Sequence, residues 1–264
     1  RLAIEVPGLD AALDPLGVDL DARDLIINDR LEEYDGTTAV VTGGSRGLGR
    51  EMALALARAG AFVYAGGRTA EAVKKTIELA SDASGSVDAL AFDVTDPRAV
   101  AAAADSVMEK SGSVDVLINS AGVALMKPSL EVTDDEWAEV IDITLTGVFS
   151  CCRVFGRHMV AAKKGRIINM SSQAGSVVLH GEAIYCMSKA AINHLTRCLA
   201  SEWAPHGITV NSIAPGRFEW DGGQLPTGDQ ALEAFRFDLE THGNSRPPLP
   251  PARRRPARGP GRRQ

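Results

Sequence analysis

The sequence predicts an α/β fold: a doubly wound parallel sheet in a single domain. Three observations carry that expectation. Short apolar runs of strand length alternate with helical runs, the pattern of a parallel sheet covered on both faces. A glycine-rich loop, Thr42-Gly43-Gly44-Ser45-Arg46-Gly47-Leu48-Gly49, separates the first such strand from the first helix. The chain has 264 residues, 45% of them apolar, and a mean hydropathy of −0.03, which suits one domain with a sizeable core.

Taken in order, residues 1–34 mix Pro7, Gly8, Pro15 and Gly17 with scattered Asp and show no clear period. They read as a loosely ordered acidic extension or a short antiparallel cover. Thr38–Val41 is a short buried strand, and Arg50–Ala59 a helix stopped by Gly60 at C′. Ala61–Ala65 reads as a strand, Ala70–Ala80 as a helix, and Val87–Phe92 as a strand ending in Asp93. Asp96-Pro97 supplies a cap and first-turn Pro for a helix through Val107. Val114–Ile118 is a strand that runs into Asn119-Ser120-Ala121-Gly122. Thr133-Asp134-Asp135-Glu136 is a capping box opening one long helix to about Ala162. Arg166–Met170 is the next strand, followed by a helix from Tyr185 to about Ala204 and a strand at Ile208–Ile213. Right-handed crossovers between such strands make the sheet Rossmann-type.

Two stretches carry chemistry. Tyr185 and Lys189 stand four apart on a helix and so share a face, phenol beside ammonium. A phenol titrates near pH ~10 unperturbed, and an adjacent cation is expected to pull it toward neutrality, where proton transfer works best. Ser172, thirteen residues before Tyr185, stands ready to hold a carbonyl or alcohol oxygen. A Tyr-x-x-x-Lys pair alone is more often a solvated helix face; its weight here comes from Ser172 and the glycine loop. That loop, between a strand and a helix, is where free N–H groups and the positive helix end meet a dinucleotide pyrophosphate.

With these pieces together, the stretch from about Tyr34 to Gly216 resembles a short-chain dehydrogenase/reductase. The matching residues are Thr42-Gly43-x-x-x-Gly47-x-Gly49, Asp93, Asn119-Ser120-Ala121-Gly122, Ser172, Tyr185-x-x-x-Lys189 and Pro215-Gly216. The resemblance implies that Tyr185 is the general acid/base. Lys189 would lower its pKa and hold the nicotinamide ribose, and Ser172 would orient the substrate oxygen. It also implies cofactor contacts from Thr42, Gly43, Ser45, Arg46, Gly47, Leu48 and Gly49 in the loop. Asp93 with Val94 would meet the adenine, with Asn119, Ala121 and Gly122 beyond them. Pro215 and Gly216 would border the nicotinamide. The second strand ends in Gly66-Gly67-Arg68-Thr69, with no acid to accept a ribose 2′-hydroxyl, whereas Arg68 and Arg46 could clamp a 2′-phosphate. NADP is therefore expected in preference to NAD. With Trp220-Asp221-Gly222-Gly223, the chain most resembles sugar-acid and polyol dehydrogenases of the gluconate 5-dehydrogenase-like group. The 3-oxoacyl-acyl-carrier-protein reductases share every motif and are the alternative. The family's usual homodimer or homotetramer, through the helices at 133–162 and Tyr185, is expected. His180 and Glu182, between Ser172 and Tyr185, are candidates for touching substrate.

Two departures stand out. In Val140-Ile141-Asp142-Ile143-Thr144-Leu145-Thr146-Gly147-Val148-Phe149, Thr144 replaces an Asn that by resemblance helps hold a water linking Lys to solvent. Its main-chain carbonyl survives, but the amide that locks the local kink is lost, so a slowed proton relay is expected. The second departure is the C-terminus. Arg217–His242 could give a mobile segment and a helix near 230–240, completing a domain over 35–242. Residues 243–264 turn Pro/Arg-rich and read as disordered, leaving the family's final strand missing and a sheet edge open. An out-of-frame or truncated end is favoured over a natural basic tail that binds nucleic acid or an acidic surface. A cofactor-binding protein with impaired or no catalysis is the reading from another class.

The remaining features exclude more than they assign. Net charge is −6, and no nucleic-acid partner is expected. Cys151, Cys152, Cys186 and Cys198 have no Cys-x-x-Cys spacing, so no metal site is expected and packed thiols in the cytoplasm are the simpler reading. No apolar run is long enough for a membrane span, and no signal peptide opens the sequence. The chain begins with Arg, as a fragment or processed start would.

Overall fold

A computed structural model of the chain describes residues 34–216. Six strands form one sheet: β1 (Thr38–Thr42), β2 (Phe62–Gly67), β3 (Ser86–Ala91), β4 (Val116–Asn119), β5 (Gly165–Met170) and β6 (Ile208–Ile213). Their order is β3-β2-β1-β4-β5-β6, and every pairing is parallel. The direction of winding reverses between β1 and β4, so their carboxyl ends splay into the crevice where open α/β sheets bind ligands. All five residues of β1 are buried, because the strand is central and covered on both faces. Val40 joins Tyr64, Leu117, Phe155 and Ile167 in one core, while Val41 joins Leu54, Val63, Val73 and Ile118 in the other.

The helices are α1 (Gly47–Arg58), α2 (Ala70–Leu79), α3 (Pro97–Ser111), α4 (Asp134–Ile141), α5 (Gly147–Ala162) and α6 (Ala183–Trp203). Helix α1 begins at Gly47, three residues before the expected Arg50, since the end of the glycine loop is itself the first helical turn. It stops where expected, with Gly60 at φ 96°. Asp96 caps α3 by accepting from the Arg98 amide at 2.8 Å. That helix outlasts the expected Val107 and ends only where Gly112 takes the left-handed conformation. The capping box at Thr133 and Glu136 is present in both directions. The helix it starts is not continuous, however: residues Asp142–Thr146 widen into a π turn between α4 and α5, as often happens at functional sites.

Two compact units divide the chain, residues 1–214 and 215–264. Among the described residues β6 is an edge strand. The acidic extension through residue 33, the helix expected near 230–240, the missing final strand and the Pro/Arg-rich tail lie outside the described residues, as does Trp220-Asp221-Gly222-Gly223.

Candidate active site

The site gathers at the carboxyl ends of β1, β4 and β5. The Thr42 hydroxyl accepts from the Ser120 and Ala121 amides at 3.0 and 3.1 Å, tying the glycine loop to the turn after β4. Gly43 (φ 68°) leaves no room for a side chain: a Cβ there would stand 2.8 Å from the Ala121 nitrogen. A Cβ on Gly49 would stand 2.3 Å from the Gly43 carbonyl, so only glycine lets α1 approach the loop this closely. The Ser45 and Arg46 amides have no main-chain partner among the described residues, and those of Gly47 and Leu48 fall in a first helical turn, whose N–H groups lack internal partners. Four free donors at a positive helix end fit a pyrophosphate.

Around this cradle, Arg46 and Arg68 are exposed, and the tip of β2 lies against the loop: the Gly67 Cβ position is 3.7 Å from Ser45 Cβ. The Asp93 carboxylate accepts from the Thr95 amide and hydroxyl at 2.9 and 2.8 Å. Those bonds, with the nearby Arg68 charge, hold it below its ordinary value. Val94 packs on the first residue of α5, its Cγ2 standing 2.8 Å from where a Gly147 Cβ would be. Asn119 is engaged elsewhere through its side chain. It is 1% exposed, and its amide points into the core, donating to Asn169 Oδ1 at 2.8 Å and Cys152 Sγ at 3.2 Å. Asn169 in turn donates to Thr196 on α6 at 3.0 Å. The side chain thus joins β4, β5, α5 and α6 beneath the site, and only its main chain faces the crevice end of the strand.

Tyr185 and Lys189 lie one turn apart on α6, with the Lys189 Nζ 5.5 Å from the centroid of the Tyr185 ring. Lys189 is 6% exposed, and its Nζ donates to the Met170 carbonyl at 2.7 Å. Burial lowers its pKa to about 8. Burial also raises the Tyr185 phenol above its ordinary value; the Ser172 hydroxyl pulls it down, and Glu182 and Cys186 push it further up. The expected pull of the amine is not among the causes of that shift, of which burial is the largest. Ser172 is placed by its own main chain: its Oγ accepts from the Ala174 amide at 3.2 Å, capping the short turn after β5. Glu182, at the N-terminal edge of α6, reaches the phenol electrostatically, whereas His180 is exposed.

Thr144 is fully buried in the π turn. Its hydroxyl lies 3.3 Å from both the amide nitrogen and the carbonyl oxygen of Val123, one as donor and one as acceptor. The amide expected to lock the kink is absent, and in its place one hydroxyl rotor meets both main-chain groups. A Cβ on Gly122 would lie 3.7 Å from Lys189 Nζ and 3.8 Å from Thr144 Oγ1, so Thr144, Gly122 and Lys189 converge. Pro215 and Gly216, the last described residues, open the second unit. Asn169, Thr196 and the Met170 carbonyl are functional groups that sequence reasoning missed. The first two are ordinary polar residues on separate elements, and the third is a main-chain atom.

A parallel sheet with a glycine cradle at its switch point and a Ser-Tyr-Lys cluster beside it defines a dinucleotide-dependent oxidoreductase. The sequence profile of the short-chain dehydrogenases matches residues 37–224, and the chain belongs to that family, acting on CH–OH groups. It is 37% identical over 221 residues to D-threitol dehydrogenase of Mycolicibacterium smegmatis, covering 81% of this chain and 80% of that protein. It is 41% identical over 183 residues to a 3-oxoacyl-acyl-carrier-protein reductase of Staphylococcus aureus, covering 68% and 73%. Among solved structures, a gluconate 5-dehydrogenase from Burkholderia cenocepacia in complex with NADP and tartrate superposes with TM-score 0.71 at 30% identity, covering 79% of this chain and 89% of that one. An NAD+-bound xylitol dehydrogenase gives TM-score 0.69 at 32% identity, covering 72% and 73%.

Proposed function

We propose that the chain is an NADP-preferring dehydrogenase/reductase that interconverts a ketone and a secondary alcohol on a polyol, sugar acid or similar small polar substrate. One observation carries this: Ser172, Tyr185 and Lys189 come together at the end of β5, beside a glycine cradle with free amides. A bound nicotinamide would supply or accept the hydride. Ser172 holds the substrate oxygen. Tyr185, whose pKa burial raises, gives its proton to that oxygen during reduction and takes one back during oxidation. Lys189, poised near pH 8, renews the proton and binds the ribose, with Thr144 and Val123 fixing the main chain beside it. Thr42, Gly43, Gly47, Leu48 and Gly49 seat the phosphates, Asp93 and Val94 the adenine, and Ala121 and Gly122 the ribose side. Arg46 and Arg68 at the β2 tip, where no acid stands, favour a 2′-phosphate.

The polyol and sugar-acid dehydrogenases among the relatives support this substrate class. The test is reduction of NADP+ and NAD+ with D-threitol, galactitol, xylitol and gluconate. Turnover with at least one, at a lower KM for NADP+, is expected; dinucleotide binding with no turnover on any alcohol or ketone would leave a binding protein. One observation favours a second reading. The Lys127 amide donates to the Gly181 carbonyl at 2.7 Å, so Met126 adjoins the loop after Ser172, where Val177 and Val178 are also exposed. An apolar rim suits an acyl chain, and oxidation of NADPH with an acetoacetyl thioester distinguishes a carrier-protein reductase. Exposed Trp137, Phe149 and Met187 on α4, α5 and α6 support a homodimer or homotetramer through those helices. The four unpaired cysteines support a reducing, cytoplasmic setting.

A further inference from the structure

Behind the glycine loop, a residue of α1 and a residue of α2 meet for a purpose the proposed chemistry does not use. Arg50 Nε donates to Thr76 Oγ1 at 3.2 Å, and Arg50 Nη2 donates to the Ser45 carbonyl. Thr76, with no exposed surface, passes its own proton to the Gly44 carbonyl at 2.8 Å. The loop's next carbonyl, Arg46 O, accepts from the Arg50 amide at 3.2 Å. Three successive carbonyls are thus held from the side of α1 and α2.

Peptide planarity makes that consequential. The C=O of one residue and the N–H of the next point in opposite directions within one rigid plane. Holding the Gly44 carbonyl inward turns the Ser45 amide outward, and holding the Ser45 carbonyl inward does the same for Arg46. Those are the two amides without a main-chain partner among the described residues. A second observation points the same way. Arg50 is only partly exposed, yet among the described residues no carboxylate forms an ion pair with it. Among the described residues no anion cancels its charge, which stands behind the outward amides, and both attract an anion to the same place.

We propose that Arg50, seated on Thr76, is a positioning residue for the dinucleotide phosphates: it fixes the Ser45 and Arg46 amides and places a positive charge behind them. This rests on the reading that the loop takes a nicotinamide dinucleotide. The full chain is compared with Arg50→Met, Arg50→Lys and Thr76→Val. The readouts are hydrogen exchange of the loop amides without cofactor, and NADPH and NADH binding at low and high salt. Arg50→Met speeds exchange at Ser45 and Arg46 and weakens NADPH binding at least about tenfold. It also flattens the salt dependence and raises the cofactor KM by more than it lowers kcat. Arg50→Lys restores the salt dependence but only part of the affinity, since an ammonium on a flexible stem lacks the rigid planar fork that meets Thr76 and the Ser45 carbonyl together. Thr76→Val speeds exchange and leaves the salt dependence intact.

A parent that binds NADPH, together with an Arg50→Met variant of equal affinity and unchanged loop exchange, overturns the proposal alone. A lowered melting temperature with unchanged affinity also overturns it, because the contact is then merely structural. If Arg50→Met is unfolded at the assay temperature, Arg50→Lys decides: full affinity with full salt dependence overturns the forked contact. A parent that binds neither dinucleotide overturns this proposal and the functional reading together.

Discussion

The Lys189 ammonium stands 5.5 Å from the centre of the Tyr185 ring while donating to the Met170 carbonyl at 2.7 Å. The amine is thus anchored to β5 rather than to the phenol oxygen, and its low exposure is what shifts it. Each of the two groups is perturbed by burial in the direction that disfavours its charged form.

Lys189 makes stability depend on pH. Its pKa falls from 10.5 to about 8, and at about 1.4 kcal/mol per pKa unit, keeping the charge costs on the order of 3 kcal/mol. Below pH 8 the amine is protonated in both folded and unfolded chains and that cost is fully present. From pH 8 to 10.5 the unfolded chain binds the proton more strongly, so stability rises with pH. Urea midpoints should show Lys189→Met more stable than the parent at pH 7, with the gap closing as pH rises through that window. A gap that does not change with pH would contradict the depressed amine.

Tyr185 should set the ascending limb of alcohol oxidation, because only the deprotonated phenol takes up the alcohol proton. Ser172 lowers its pKa and Glu182 raises it. In pH profiles of kcat/KM, Ser172→Ala should move the limb to higher pH besides slowing the reaction. Glu182→Gln should move it to lower pH. Two variants with the limb unmoved would show that another group titrates.

The Thr144 clamp gives a different outcome from the one its residue type suggests. Thr144→Val keeps the shape but removes both contacts to Val123, and should cost about 1 kcal/mol of stability, or roughly 2–4 °C in melting temperature. Turnover should fall with it. Thr144→Asn should leave turnover within about twofold, because the clamp is already made. A large gain would mean that an amide supplies something the hydroxyl does not.

Gly49→Ala tests the cradle itself. Alanine favours a helix over glycine by about 1 kcal/mol, yet its Cβ would stand 2.3 Å from the Gly43 carbonyl. The loop must move, and dinucleotide affinity should drop at least about tenfold, with no gain in melting temperature. Unchanged affinity in a fluorescence titration would show that the phosphates sit elsewhere.

The alternation of apolar runs with capped helices determined the fold before any coordinates. The Thr133 capping box, the Asp96 cap and the Gly60 stop are all local: each depends on neighbours within a few residues, so sequence spacing reveals it. The same holds for the glycine loop and for Tyr185 and Lys189 sharing a helix face. What tertiary structure alone decided involves partners far apart in the chain or atoms of the main chain. The direction in which the Tyr185 pKa moves depends first on burial, which Tyr-x-x-x-Lys does not show. Asn119 turned into the core because Asn169 and Cys152 wait there, and Arg50 found Thr76 across 26 residues. Periodicity says which face of an element is covered; it does not say which atom on another element will meet a given donor, because that is fixed only when the sheet closes and the helices pack on it.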